Sequence, residues 1–264
     1  MADPPAPAEP AATILLLRDA PAGLQVFMVQ RHHRIDFATG ALVFPGGKVD
    51  PADREPRLAP RCQEAGNLSE ADRALRVAAI RETFEEAGVL LARHGGEAEL
   101  LRGDPLEQMA RRHPGASRGV PRAFGKLVEE EDLLLACERL VPFAHWITPT
   151  FMPRRFDTWF FLVDAPQHQL ARHDGRESVD SRWIRPLDAV EDARAGRCTI
   201  IFPTLMNLQK LGRSRSVQEA LATARQAPVV TVLPRLEQRG SEQVMVLPAE
   251  AGYDVVEAPL SDVR

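Results

Sequence analysis

The chain has 264 residues and a formal net charge of −4, with a pI near 6.0. That length allows one large domain or two small ones with a substantial core, and the mild acidity argues against nucleic acid or a membrane surface as the main partner. Cys62, Cys137 and Cys198 lie far apart, without Cys-x-x-Cys spacing or His partners nearby, so they read as reduced thiols rather than a disulfide or zinc framework.

No apolar run reaches the roughly 20 residues of a membrane span. The first residues lack the basic-then-apolar layout of a signal peptide, and Ser261-Asp262-Val263-Arg264 is not a Ser-Lys-Leu address, so a cytoplasmic location is expected. Residues 1–11 carry Pro at four of the first ten positions and predict a disordered or extended tail. Residues 12–18 and 24–30 read as a strand pair around the turn-rich Asp19-Ala20-Pro21-Ala22-Gly23. Arg31-His32-His33-Arg34 follows; Arg31 is a candidate phosphate contact, with a solvated loop as the alternative.

Leu42-Val43-Phe44 runs into Pro45-Gly46-Gly47, where glycine lets the backbone turn sharply and approach a ligand. Residues 51–68 are rich in Pro and charge without a sustained period, and read as a surface excursion able to form a lid or specificity wall. Ser69-Glu70-Ala71-Asp72 has the form of a capping box opening a helix. Gly88 either ends that helix or lets it pack closely. Asp104-Pro105 reads as another helix start, with Arg111 to Gly115 as its stop.

A buried helical stripe is expected over 124–140, with Glu129 to Asp132 as its solvated face or, alternatively, as the source of a distal ligand or base. Residues 141–150 and 155–164 read as two central strands whose Trp146, Trp159, Phe160 and Phe161 are core. Arg154 and Arg155, at the mouth of the second, are candidates to hold substrate phosphate, with surface ion pairs as the alternative. Residues 177–184 predict a closing strand, with Glu177 or Asp180 as further carboxylates, followed by a short helix and another over 202–208. After Leu211 come a helix over 217–224 and a strand pair, 229–233 with 243–247, joined across Arg239-Gly240. About 50 residues make a weak independent domain, so this extension (212–264) is expected to pack on the main body (12–211) or on a second subunit of a homodimer.

One stretch organises the rest. In residues 74–90, ALRVAAIRETFEEAGVL, Glu82, Glu85 and Glu86 fall on one helical face while Val77, Ile80, Phe84 and Ala87 cluster opposite. Like charges at that spacing cost an isolated helix roughly 0.2–0.5 kcal/mol per pair. A cation is therefore expected, and hard oxygen ligands suit Mg²⁺ or Mn²⁺; the plain alternative is an acidic surface with Arg81 paired to Glu85.

Residues 81–89, Arg-Glu-Thr-Phe-Glu-Glu-Ala-Gly-Val, with Thr83 the poorest match, resemble the second half of the Nudix box, and Phe44-Pro45-Gly46-Gly47 resembles its opening. The two halves stand farther apart than usual, so the box is split by an insertion, as in the branch that includes the peroxisomal coenzyme A diphosphatase and its bacterial relatives. Asp53, Glu70 and Asp72 are the stand-ins for the displaced first glutamate. The similarity extends through residues 37–50 and 146–166.

The resemblance implies an α/β fold, a Nudix α/β/α sandwich with a mixed sheet, and Mg²⁺ or Mn²⁺ held by Glu82, Glu85, Glu86 and the Gly47 carbonyl. It also implies Glu85 or Glu86 as the group that handles water, and Arg81 orienting them. Its substrate would be a small nucleoside diphosphate derivative, with coenzyme A or acyl-coenzyme A favoured. Ile14-Leu15-Leu16-Leu17 does not match the Leu-Leu-Thr element of the better-known coenzyme A pyrophosphatases, which keeps ADP-ribose, NADH and dinucleoside polyphosphates as alternatives. A non-catalytic nucleotide-binding module is the rival outside the enzyme class.

Overall fold

Seven consecutive residues of the first strand, Ala11 to Leu17, include six that are almost fully buried, which marks a strand covered on both faces rather than one side of a hairpin in solvent. In the computed structural model, which describes residues 5–31, 40–65, 68–169, 171 and 178–260, that strand is β1 (Ala8–Ala20). His32, His33, Arg34 and Glu177 lie outside the described residues. In chain order there follow β2 (Gly23–Arg31), β3 (Leu42–Val43), β4 (Gly46–Lys48), α1 (Glu70–Ala87), β5 (Ala92–His94), α2 (Gly103–Arg112), α3 (Pro121–Glu130), β6 (Leu133–Leu135), β7 (Val141–Ile147) and β8 (Arg155–Asp164). The chain continues with β9 (Ser178–Ile184), α4 (Pro186–Arg194), α5 (Phe202–Leu211), α6 (Val217–Gln226), β10 (Thr231–Val232), β11 (Arg235–Arg239), β12 (Glu242–Val246) and β13 (Glu257–Pro259).

The main sheet is mixed and eight-stranded, in the order β10-β7-β8-β1-β2-β3, with β4 also on β1 and β9 also on β2. β1 pairs in parallel with β8 from Ala8↔Arg155 to Leu17↔Asp164, and antiparallel with β2 across a two-residue turn. Strand alternation then separates two cores. Ile14 and Leu16 join Val77, Ile80, Phe84 and Leu127 under α1 and α3. Leu15 and Leu17 join Trp146, Phe160, Met206 and Leu221 under α4, α5 and α6. Burying each such side chain contributes about 1.5–3 kcal/mol, and the result is the expected α/β/α sandwich. No helix among the described residues is long and apolar enough to cross a membrane.

Several expectations need correction. β1 begins at Ala8, so the end of the Pro-rich segment is a strand: Pro10 lacks only a donor, and its carbonyl accepts the Val49 N–H at 2.9 Å. The insertion is not a free surface loop. It forms two short 3₁₀ helices, Pro51–Arg54 and Pro56–Ala65, and buries Asp53, Leu58 and Cys62. The stripe over 124–140 breaks after α3, where Asp132 adopts φ 47° and the apolar Leu133–Leu135 pairs with β5 instead. Residues 229–233 do not pair with 243–247. Thr231–Val232 extends the main sheet beside β7, while β11, β12 and β13 form their own three-stranded sheet.

Candidate active site

Helix α1 starts where Ser69 accepts the Asp72 N–H at 3.1 Å and stops at Gly88, whose φ of 66° is the left-handed cap that glycine supplies without strain. Between these caps the helix is covered almost all round: Val77 to Arg81, Thr83, Phe84, Glu86 and Ala87 are buried. Thr83, the poorest match to the motif, serves as a small core residue because its hydroxyl donates to the Ala79 carbonyl at 2.8 Å. The acidic face is thus enclosed rather than solvated, and what holds it together must lie inside.

That group is Arg81, only 2% exposed. Its Nε and Nη2 donate to the Asp53 carboxylate, both at 2.9 Å, and Nη2 also reaches the Lys48 carbonyl at 3.0 Å. Its Nη1 is shared by Glu82 at 2.7 Å and Glu85 at 3.1 Å. All the donors of the guanidinium fork are used, which no lysine could reproduce. Burial opposes its charge, but Asp53, Glu82 and Glu85 outweigh that penalty and hold its pKa above the ordinary value. Asp53 is oriented in turn by the Asp50 N–H at 2.8 Å. Of the three stand-ins for the displaced glutamate, Asp53 alone reaches the cluster; Asp72 accepts from the Ser69 hydroxyl and Glu70 faces Arg54.

The glycine turn closes the other side. The Ile14 N–H donates to the Pro45 carbonyl at 2.9 Å, tying the turn to β1, and the Gly46 N–H donates to Glu86 Oε2 at 3.0 Å. A Cβ on Gly46 would stand 2.5 Å from the Ala12 carbonyl, so that position requires glycine, and one on Gly47 would stand 2.5 Å from the Glu82 carboxyl and push it out of place. Glu85 is the strained member. Its side chain is 10% exposed, its Oε1 is buried with no hydrogen-bond partner among the described residues, and burial, followed by the charges of Glu82 and Asp53, pushes its pKa up to about 8 against the pull of Arg81.

These groups open onto a cleft of about 1760 Å³ that runs from α1 past β4 to the face of β7 and β8. Its walls also include Gly119, where an added Cβ would come 3.6 Å from Glu85 Oε2, and the C-terminal Pro234, Met245 and Leu260. Sequence reading missed these, because nothing in their local pattern indicates a long-range wall.

The model of the NUDT19 Nudix domain matches residues 51–211. The chain belongs to this family. It is 30% identical over 249 residues to the acyl-coenzyme A diphosphatase NUDT19 of Gallus gallus, covering 75% of this chain and 64% of that protein. To the Homo sapiens protein of the same name it is 29% identical over 246 residues, covering 76% and 64%. The chain therefore spans a little under two thirds of the length of these relatives. A crystal structure of a Nudix hydrolase from Alicyclobacillus acidocaldarius superposes with a TM-score of 0.68 at 28% identity, over 82% of this chain and 96% of that one. The family match begins just after the Phe44–Gly47 turn and includes the insertion and the Arg81–Val89 half of the box.

Within this site, Arg81, Glu82, Glu85, Glu86 and Gly47 come together and line the cleft. Arg31 lines the same cleft, and its Nε is buried without a hydrogen-bond partner among the described residues. Arg154 lines it from the exposed β7–β8 turn. Arg155 also lines it, but its Nε and Nη1 donate to the Thr148 and Ala6 carbonyls at 3.0 and 2.7 Å, which makes it a strut of the wall. Glu129, Glu131 and Asp132 do not join the cluster; they pair with Arg57, Arg112 and Arg61. Asp180 accepts from the Ser181 N–H at 2.8 Å.

Nudix hydrolases use divalent metal ions. Among the described residues no three His, Cys, Asp or Glu side chains converge as a metal shell, and Arg81 bridges Glu82 and Glu85. The donor set nevertheless fits a hard cation. Glu82, Glu85, Glu86 and the Gly47 backbone supply oxygens, and the unpaired Glu85 Oε1 is a buried acceptor lacking a donor.

Proposed function

We propose that this protein hydrolyses the diphosphate linkage of a nucleoside diphosphate derivative, with acyl-coenzyme A or coenzyme A as the favoured substrate and adenosine 3′,5′-bisphosphate and (acyl)phosphopantetheine as products. The observation that carries the reading is the buried, unpartnered Glu85 Oε1 at the end of a cleft otherwise braced by Arg81. The names of the chicken and human relatives favour the substrate. Mg²⁺ or Mn²⁺ would be held by Glu82, Glu85, Glu86 and the Gly47 carbonyl, where such an ion neutralises diphosphate charge and acidifies water.

The chain's own groups do the rest. Glu85 and Glu86 are the groups placed to take a proton from water aimed at phosphorus: one oxygen of each is already occupied, by Arg81 and by the Gly46 N–H, and the carboxylate whose other oxygen is not on the ion is the base. A Glu85 pKa pushed up to about 8 without a cation falls when a positive charge arrives beside it. Arg81 and Asp53 keep the carboxylates in register and touch no substrate. Arg31 and Arg154 are placed to neutralise phosphate at the cleft wall.

The test is product analysis with coenzyme A, acetyl-coenzyme A, ADP-ribose, NADH and diadenosine polyphosphates, each with Mg²⁺, Mn²⁺ or a chelator. Metal-dependent release of adenosine 3′,5′-bisphosphate ahead of the other products is expected. Preference for another substrate would discard coenzyme A and keep the chemistry, and nucleotide binding without any turnover would overturn the reaction.

A further inference from the structure

The cleft is larger than the reaction centre needs. Small-molecule sites enclose about 300–1,000 Å³, against about 1760 Å³ here. Its charged lining includes the α1 carboxylates, Arg31 and Lys48, and also Arg154 and Arg155 beside the β7–β8 turn. That turn adds apolar surface next to the two arginines. Phe151 and Met152, in the turn between β7 and β8, are 46% and 38% exposed, unusual for large apolar side chains. Both line the cleft, as do Phe202 on α5 and Pro234, Met245 and Leu260 of the C-terminal segment. The last three lie beyond residue 211, where the family match ends. Phe151, Met152 and Phe202 lie within the matched span, so the wall joins residues from inside and beyond it.

Resting on the proposed function, we infer that the 149–153 turn and the C-terminal sheet together form a subsite for an apolar arm of the substrate, a fatty acyl chain on the pantetheine side of the diphosphate. The occupant follows from continuity and chemistry: a ligand whose diphosphate is held between α1 and Arg154 carries its further arm past the neighbouring Phe151 and Met152, and a flexible alkyl arm gains by covering these exposed side chains in proportion to its length. Each methylene fully removed from water is worth about fourfold in affinity. The wall therefore discriminates arms by length, and Pro234, Met245 and Leu260 contribute to it from beyond the family match.

The experiment uses ligands that need neither metal nor turnover. Calorimetry on the full chain in chelator compares S-hexanoyl-pantetheine with S-dodecanoyl-pantetheine. The expected result is at least tenfold tighter binding of the longer arm by the native protein, falling to less than threefold in the Phe151→Ser/Met152→Ser variant and in Leu260→Ser. Phe151 and Met152 are exposed, so their replacement removes little core packing, and an unchanged melting temperature establishes that the variant is folded. Equal binding of both lengths by the native protein, absence of binding, or a length preference that survives both variants would overturn the subsite. Hydrolysis of coenzyme A by the native protein is assayed separately: its failure would remove the proposed reaction, while the ratio of the two dissociation constants still decides the wall.

Discussion

At the scale of single residues, the site is a balance of several carboxylates against one guanidinium. Glu85 carries the excess. Its pKa in the folded protein is raised to about 8, whereas the unfolded chain titrates near 4.3, so the folded state holds a proton that the unfolded state gives up. Metal-free protein thus loses stability as pH rises through that window, and the loss is complete above about 8. Glu85→Gln removes this penalty and keeps an oxygen for Arg81. In chelator at pH 8.5 the variant is expected to unfold at higher urea than the native protein, by on the order of a few kcal/mol, while catalysis with metal falls at least about 100-fold. A variant that is less stable at pH 8.5 would contradict the assigned strain. Asp53→Asn makes the opposite case. It leaves the 2% exposed Arg81 without its bidentate partner, and breaking a buried pair from one side costs about 3–5 kcal/mol, measurable by urea titration at pH 7. An unaltered midpoint would show that Asp53 is not the brace.

Elements were legible in the sequence where local pattern and tertiary position agreed. Helix α1, with its Ser69 start and acidic face, needed only periodicity and a cap, while Gly88 was legible only as an end or a close-packing position until its left-handed φ decided for the end; β8 needed only its aromatic and β-branched run. The insertion failed because Pro and charge look the same in a solvated loop and in 3₁₀ turns whose few apolar residues are buried. Its Pro51, Pro56 and Pro60 punctuate short helices, and its arginines are spent on Glu55, Glu129 and Asp132 rather than on solvent. Leu58 decides between the two descriptions. At 1% exposure its replacement by Ala is expected to cost about 2–5 kcal/mol through lost burial and a residual cavity, whereas a surface excursion predicts a change within about 0.5 kcal/mol. The midpoint of chemical unfolding distinguishes them. The Arg81 to Asp53 bond was missed for a similar reason: it spans 28 positions, and no periodicity connects a turn to the middle of a later helix.

For the whole molecule, the cleft is assembled from the two ends of the chain as well as its middle, and one buried hydrogen-bond chain fastens the C-terminal end in place. Trp146 Nε1 on β7 donates to the Tyr253 hydroxyl at 2.8 Å, and that hydroxyl donates to Asn207 Oδ1 on α5 at 2.8 Å. Burial raises the tyrosine pKa well above its ordinary value, so the hydroxyl stays neutral and can do both. Tyr253→Phe keeps the ring, which sits 5.3 Å from the indole, and removes only the oxygen. The indole N–H and the Asn207 carbonyl oxygen are then buried without partners, beside an Asn207 Nδ2 that already lacks one among the described residues, at a cost of about 1–3 kcal/mol. Because Trp146 lines the cleft and belongs to the core under α4, α5 and α6 rather than the one under α1, loosening this join perturbs the cleft wall more than the chemistry. The expected signature in the variant is a KM for the accepted substrate raised about three- to tenfold with kcat within twofold, together with a lower unfolding midpoint. A fall in kcat with KM unchanged would mean instead that the C-terminal segment supports the acidic cluster directly, since only groups acting on the transition state alone lower kcat in that way.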